Sequence, residues 1–269
     1  MCIRDSTKAF ALQRMALNLG FSFGPAIGGL LIRHISYFWV FVADAVTTLL
    51  CAVIMGWYFG LGKRTNQEPD SLPTKDEVNH RSPTADREYM MFLGLLLVGS
   101  IVFFQFHATY PLYLKDRYKL DEFNIGLLFA VNTTIIVLFE MVLVESVKRL
   151  PMLILVGWGC FLTCLGFGIL PFSVLMTFAV LSMVVLTAGE MLSMPIATSW
   201  VSKRSVGYDT GVYMGWYSMN FAVACIVGPA VGGLIYEYNR ELVFHLGTVI
   251  GLLVLVGFYV LQKRVESKK

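Results

Sequence analysis

Apolar residues gather into eight long runs, at about residues 9–32, 37–60, 89–114, 122–147, 151–171, 173–200, 209–236 and 241–262. Each reaches the roughly 20 residues that a helix rising about 1.5 Å per residue needs to cross the hydrocarbon core of a bilayer. The pattern predicts an all-α, polytopic membrane helix bundle with eight transmembrane helices. One long hydrophilic stretch interrupts it, from about Gly62 to Glu88, with Pro69, Pro73, Pro83, five basic and six acidic residues and no apolar face. It reads as a linker. Composition agrees with a lipid solvent: 57% of residues are hydrophobic and 14% charged, against about 25% charged in soluble proteins.

Charge sets the orientation. With the N-terminus inside, the cytoplasmic segments hold fifteen Lys and Arg residues and the outer loops five (Arg33, Lys115, Arg117, Lys119 and Arg240). Both termini and the linker are therefore expected on the cytoplasmic side. The formal net charge of +3 is accounted for by this topology and offers no argument for a nucleic-acid partner.

The chain also repeats itself. Gly24-Pro25-Ala26-Ile27-Gly28-Gly29-Leu30-Leu31 recurs as Gly228-Pro229-Ala230-Val231-Gly232-Gly233-Leu234-Ile235, six of eight positions being identical. In both copies the motif ends a span, a short outer loop follows, another span returns, and a Lys-Arg pair closes it (Lys63-Arg64, Lys263-Arg264). The first two helices thus repeat the last two. A complete first half would have four more helices before residue 1, so an N-terminally truncated chain is expected. The division that follows is 1–60 as the last two helices of a first half, 61–88 as linker, and 89–269 as a six-helix second half.

Two parallel six-helix halves joined by a cytoplasmic linker is the architecture of the major facilitator superfamily. Gly20-x-x-x-Gly24-Pro25-x-x-Gly28-Gly29 resembles the antiporter signature in the fifth helix of its twelve-helix drug:proton antiporters, and this chain is similar to helices five to twelve of that plan. It has Ala11 where the extended signature has another glycine. The second copy keeps Gly215 at that place and has Ala224 four residues before Gly228. The resemblance implies secondary active transport of a small molecule by alternating access, with proton-coupled efflux across a bacterial inner membrane. The small molecule, protons, the lipid bilayer and the missing four helices would be its partners, with no cofactor.

Candidate residues follow from helical spacing. Glycines let helices approach closely in lipid, and a proline inside a helix removes a backbone donor, so Gly20, Gly24, Pro25, Gly28, Gly29, Gly228, Pro229, Gly232 and Gly233 form the packing and conformational motif. Arg14 and Asn18, with Ser22, share one face of the fifth-type helix. Trp216, Tyr217 and Asn220, with Tyr213, share a face of the eleventh. Gln105 and Thr109 form a stripe on the seventh-type helix, which in the family lines the central cavity, while His107 faces away. All of these except His107, Ser22 and Tyr213 are taken as substrate-cavity candidates, Tyr213 being equally suited to interfacial anchoring.

Carboxylates inside spans are costly, at about 2.5–3.5 kcal/mol at a helix centre on insertion scales, so a partner or a function is expected of each. Glu190 is the first proton-coupling candidate and Glu140 the second. Asp44 suits a structural hydrogen bond, and Glu145 a salt bridge to Lys148. Cys160 and Cys164 share a helix face and read as small packing residues. Two readings from other classes remain: a non-transporting fragment or scaffold, and an intramembrane enzyme. The sequence has neither a His-Glu-x-x-His pattern nor paired aspartates in its spans, so catalytic and metal-binding residues are not expected.

Overall fold

Seven helices long and apolar enough to cross a bilayer follow one another in the computed structural model, which describes residues 20, 23–24, 27–61, 82–147 and 149–267. Residues 27–34 are helical, and α1 (Tyr37–Leu61), α2 (Arg87–Phe103), α3 (Thr109–Asp116), α4 (Glu122–Val147), α5 (Met152–Ile169), α6 (Met176–Arg204), α7 (Thr210–Tyr238) and α8 (Leu242–Glu266) follow. No strand occurs among the described residues. The last seven expected spans are thus helical, and most of the first expected span lies outside the described residues.

One span departs from its expected form. The run 89–114 divides into α2 and α3, joined by a 3-10 turn over Phe104–His107 and by Ala108 at φ −120°, ψ −85°. The expected linker also ends sooner. Pro83 is buried, and the Asp86 carboxylate accepts from Tyr89 N at 3.2 Å, capping α2, which satisfies a donor that a helix start leaves open. Asp209 caps α7 in the same way. Lys203 and Arg204 close α6, and Lys263 and Arg264 close α8, where basic residues suit the helix dipole.

Between helices in lipid, association rests on close packing, because the surrounding tails are as apolar as the helix faces. Small residues accordingly build the centre of the bundle, with α5 between α6 and α8. A Cβ on Gly159 would lie 2.5 Å from Ser193 N and 2.8 Å from Gly189 O, and one on Gly166 would lie 2.7 Å from Leu186 N. On the other face, Gly251 of α8 leaves room for the Cys164 side chain, and Gly99 of α2 sits 3.3 Å from Cys160 Sγ by the same measure. Both cysteines are buried packing residues, as their spacing suggested. Aromatic rings fill the two ends of the bundle, Phe92 on Trp200 at 4.3 Å towards the start of α2 and Tyr113 on Phe244 at 4.8 Å towards the opposite end.

The first segment is different. Among described residues 20–58, Gly29 alone is buried, and α1 presents Phe41, Leu49 and Trp57 with two-thirds or more of their surface open.

Candidate functional site

The second copy of the glycine motif has a specific occupant. Gln105, in the turn that interrupts the α2–α3 span, enters a slot on α7 whose floor is Gly228 and Gly232. Its Nε2 donates to the Gly228 carbonyl at 2.6 Å and to the Ile101 carbonyl at 3.2 Å, and its Oε1 accepts from Thr109 Oγ1 at 3.0 Å. A Cβ on Gly228 would stand 2.9 Å from Ile101 O and 3.0 Å from Phe104 Cβ, and one on Gly232 would overlap the carboxamide itself. Gly233 faces open space, so of the second motif's glycines it takes no part in this crossing. Pro229 lies inside the helix beside them.

This arrangement gives Gln105 and Thr109 partners that the cavity expectation did not name. Both are buried, and their polar atoms are spent joining α2 and α3 to α7. Helical spacing placed them on one face correctly but did not distinguish a face turned to water from one turned to another helix. His107 is exposed, with its ring against Phe106 at 5.1 Å.

The stripe on α7 also meets neighbouring helices. Asn220 is buried, and its Nδ2 donates to the Leu93 carbonyl of α2 at 2.7 Å. Tyr217 is buried with its hydroxyl 3.1 Å from Thr198 Oγ1 of α6. Trp216 is half-buried against the apolar core. Tyr213, at 1% exposure, accepts at its carbonyl from Tyr89 OH at 2.6 Å and donates from its hydroxyl to Asp86 Oδ2 at 3.4 Å. Asn220 and Tyr217 thus turn towards protein, as polar side chains in lipid must, and the buried Asn220 Oδ1 has no hydrogen-bond partner among the described residues.

Glu190 keeps its place as a candidate. Residue 190 is fourteen residues from either end of α6 (190 − 176 and 204 − 190), hence about 21 Å from each at about 1.5 Å per residue. It is half-buried. Its partner comes from another helix: Asn132 Nδ2 of α4 donates to Glu190 Oε2 at 3.3 Å and to Thr187 Oγ1 at 2.8 Å, and Thr187 in turn donates to the Met183 carbonyl. Asn132 and Thr187 are buried, and neither was singled out in the sequence. An asparagine eight residues before Glu140 in an apolar run was the available signal. Glu140 is half-buried on α4. One turn beyond Glu190, Ser193 and Met194 line a small pocket with Ser100, Phe103, Cys160 and Phe221.

The first copy of the motif contrasts with the second. Among the described residues, Gly20, Gly24 and Gly28 have no neighbour within reach of a Cβ, whereas Gly29 would meet Glu122 O and Phe123 Cα at 3.0 Å. Arg14, Asn18, Ser22 and Pro25 lie outside the described residues, as does the Lys148 side chain that was paired with Glu145. Asp44 is exposed on α1.

Two charged clusters were missed. At the ends of α2 and α6, Arg204 Nε and Nη2 each donate to Asp86 at 2.8 Å and Nη2 to Glu88 at 2.7 Å, with both carboxylates buried. At the other end, Lys115 Nζ donates to Glu122 at 2.6 Å, which holds the lysine above its ordinary pKa. Neighbouring Arg117 pairs with Glu241 at 2.8 Å. Such partners lie as far as 124 positions apart, beyond any local pattern. Among the described residues, no His, Cys, Asp and Glu side chains gather as a metal would require.

A polytopic helix bundle with glycine-built crossings, buried interhelical amides and a membrane carboxyl is the class defined so far. The family model of the Major Facilitator Superfamily matches residues 3–229, and the chain belongs to that family as an integral membrane protein. It is similar to the MFS-type transporter YttB of Bacillus subtilis (strain 168), 27% identical over 97% of this chain and 66% of the relative. It is also similar to Multidrug resistance protein 1 of the same organism, 24% identical over 92% and 62%. The chain thus spans about two thirds or less of the length of these relatives. A crystal structure of a POT family transporter in complex with a thioalcohol-conjugated peptide shares the fold, with a TM-score of 0.58 and 13% identity over 97% of this chain and 69% of that one.

Proposed function

We propose that this chain is the helix five to twelve part of a secondary active transporter that moves a small molecule by alternating access, coupled to protons and working as an efflux pump. In this reading residues 1–60 end the first half, residues 89–269 are the second, and the termini and linker are cytoplasmic in a bacterial inner membrane. The observation that carries the proposal is the half-buried carboxyl of Glu190 at the middle of α6, met across the helix boundary by Asn132. A carboxyl at mid-membrane that is neither fully sealed in protein nor open to bulk water can load and release a proton as a cavity opens to each side. Glu140 is the second candidate. The name of one relative, Multidrug resistance protein 1, supports efflux, as does the resemblance of the repeated motif to the antiporter signature.

The test is gradient-driven flux in proteoliposomes. Glu190→Gln keeps the shape and much of the hydrogen bonding but cannot titrate, so it should abolish proton-driven transport while expression and folding persist. With the four preceding helices supplied, wild-type pH-dependent flux in that variant refutes the coupling assignment, and absence of any gradient-driven flux by the unsubstituted protein refutes the transport reading.

A further inference from the structure

We infer that Asn132 is a positioning residue for Glu190: its amide fixes the orientation of the carboxyl and leaves Oε1 as the oxygen that takes up and releases the proton, a role that rests on the coupling reading proposed above. The hydrogens of the site can be counted. Thr187 Oγ1 has one, and it goes to the Met183 carbonyl of its own helix at 2.6 Å. The hydroxyl can therefore only accept from Asn132, 2.8 Å away, and the group of Asn132 that faces it must be the NH2. Turned over, the amide would set Oδ1 at that distance from an oxygen with no hydrogen left to give, lone pair against lone pair. One N–H is thus spent on Thr187, and the other is the donor to Glu190 Oε2 at 3.3 Å.

That donor sorts the two carboxyl oxygens. In a carboxylic acid the carbonyl oxygen is a much better acceptor than the hydroxyl oxygen, so the oxygen that meets the N–H is the carbonyl one and the acid's hydrogen belongs to Oε1. When the proton has left, the same N–H makes a charge-assisted bond to the carboxylate, and when the proton is bound it makes an ordinary amide–carbonyl bond. Oε2 accepts in both charge states, so the carboxyl keeps one orientation through loading and release, and the proton is exchanged on the side turned away from Asn132.

The surrounding helices leave this task to the amide. α4 and α5 contain no Lys, Arg or His, and the basic residues of α6 are Lys203 and Arg204 in its last turn, so these helices bring no cation to the level of residue 190. The hydroxyls next to Asn132 on α4 are turned inward on their own helix, Thr133 donating to the Phe129 carbonyl and Thr134 to the Ala130 carbonyl. Asn132 is the residue of this stretch whose hydrogens cross to α6. Asn132 and Thr187 keep 6% and 0% of their surface exposed, so packing holds both groups where the count of hydrogens requires them.

Infrared spectroscopy of the whole chain in lipid tests this, because a hydrogen bond to the carbonyl oxygen of a protonated carboxyl weakens the C=O bond and lowers its stretching frequency. The Glu190 band is isolated as the difference between the unsubstituted protein and Glu190→Gln over a pH series. Asn132→Leu should move that band to higher wavenumber. Thr187→Val keeps the shape of the side chain but frees the amide to turn over, so it should add a component at higher wavenumber, and Thr187→Ser should restore the single original band. The Thr187 pair decides the matter even where Asn132→Leu fails to fold. A band unmoved by Asn132→Leu, or the same in Thr187→Val and Thr187→Ser, overturns the proposal; a bond that merely joins α4 to α6 would lower the thermal stability of these variants and leave the band in place. The coupling reading is judged separately by the pH series. If the band is present at every pH, Glu190 does not cycle and the coupling reading falls, while the shifts in the variants still decide the orientation. If it appears at no pH, Glu190 takes up no proton and both fall.

Discussion

Replacing Gly232 with alanine should be among the most damaging single-methyl additions in this bundle. The added Cβ would overlap the Gln105 carboxamide, so either the amide leaves its slot or α7 moves away from α2. If the amide leaves, the bond to Gly228 O at 2.6 Å is lost together with the one from Thr109 at 3.0 Å. Interhelical bonds in membranes average about 0.6 kcal/mol each and reach about 1.7. If the helix moves instead, overpacking costs about 1–3 kcal/mol. The two routes converge on a loss of about 2–3 kcal/mol. Gly233→Ala is the matched control, because that position faces open space and alanine favours helix over glycine by about 1 kcal/mol. Reversible unfolding in mixed micelles measures both. The mechanism makes a sharper demand through Gln105→Ala, which empties the slot: Gly232→Ala should cost less in that background than alone, with a coupling of about 1 kcal/mol or more in the double-mutant cycle. Equal stabilities of Gly232→Ala and Gly233→Ala, or additivity in the cycle, would falsify the slot.

Three further outcomes are expected. Gly228→Leu should lower surface expression and stability far more than Val227→Leu, since a Cβ at Gly228 already approaches Ile101 O at 2.9 Å whereas Val227 presents a branched side chain now; equal expression of the two removes the packing argument. Arg204→Ala should cost about 3 kcal/mol of bundle stability, because it strips the ion-pair partner from the buried carboxylates of Asp86 and Glu88, while Lys115→Ala at the exposed outer pair should cost far less; comparable losses in thermal melts contradict this ranking. A cysteine at Asn79 should react with impermeant reagents only after the membrane is opened, and labelling in intact cells would reverse the proposed orientation.

The lipid-facing part of this fold was legible because lipid imposes one requirement on every span: about twenty apolar residues with backbone groups satisfied internally. Seven of the eight runs could be compared with described helices, and their bounds hold to within a few residues except where α2 breaks. That break has a local signal in Pro111, which has no N–H to give the His107 carbonyl four residues earlier, and the sequence reading did not use it. The interior was less legible. Polar residues at i, i+3, i+4 and i+7 must face protein or water, but the spacing is the same for both. Gln105, Thr109, Tyr217 and Asn220 were therefore taken as cavity candidates with no partner named for any of them, and Glu190 was taken from its depth, the lack of a basic residue in its span and the family resemblance, while its partner on α4 remained invisible.

The two glycine motifs carry this point furthest. Their sequences are nearly the same, and both present small residues at i, i+4 and i+5, yet Gly228 and Gly232 hold a glutamine amide while, among the described residues, Gly24 and Gly28 face no neighbour and Gly29 receives backbone. A small-residue stripe specifies where another helix can approach and how closely, because it removes side chains from the crossing. It leaves open which group arrives. The facing helix decides that, and in the second copy the decision lies with one residue in an irregular turn: at Phe104–His107 the 3-10 geometry and the Ala108 backbone redirect the chain, and Gln105 donates to both its own helix and its neighbour. The break in α2 and the glycines of α7 are consequently one feature, since a glutamine amide reaching a backbone carbonyl on another helix needs both the turn that presents it and the missing Cβ atoms that admit it.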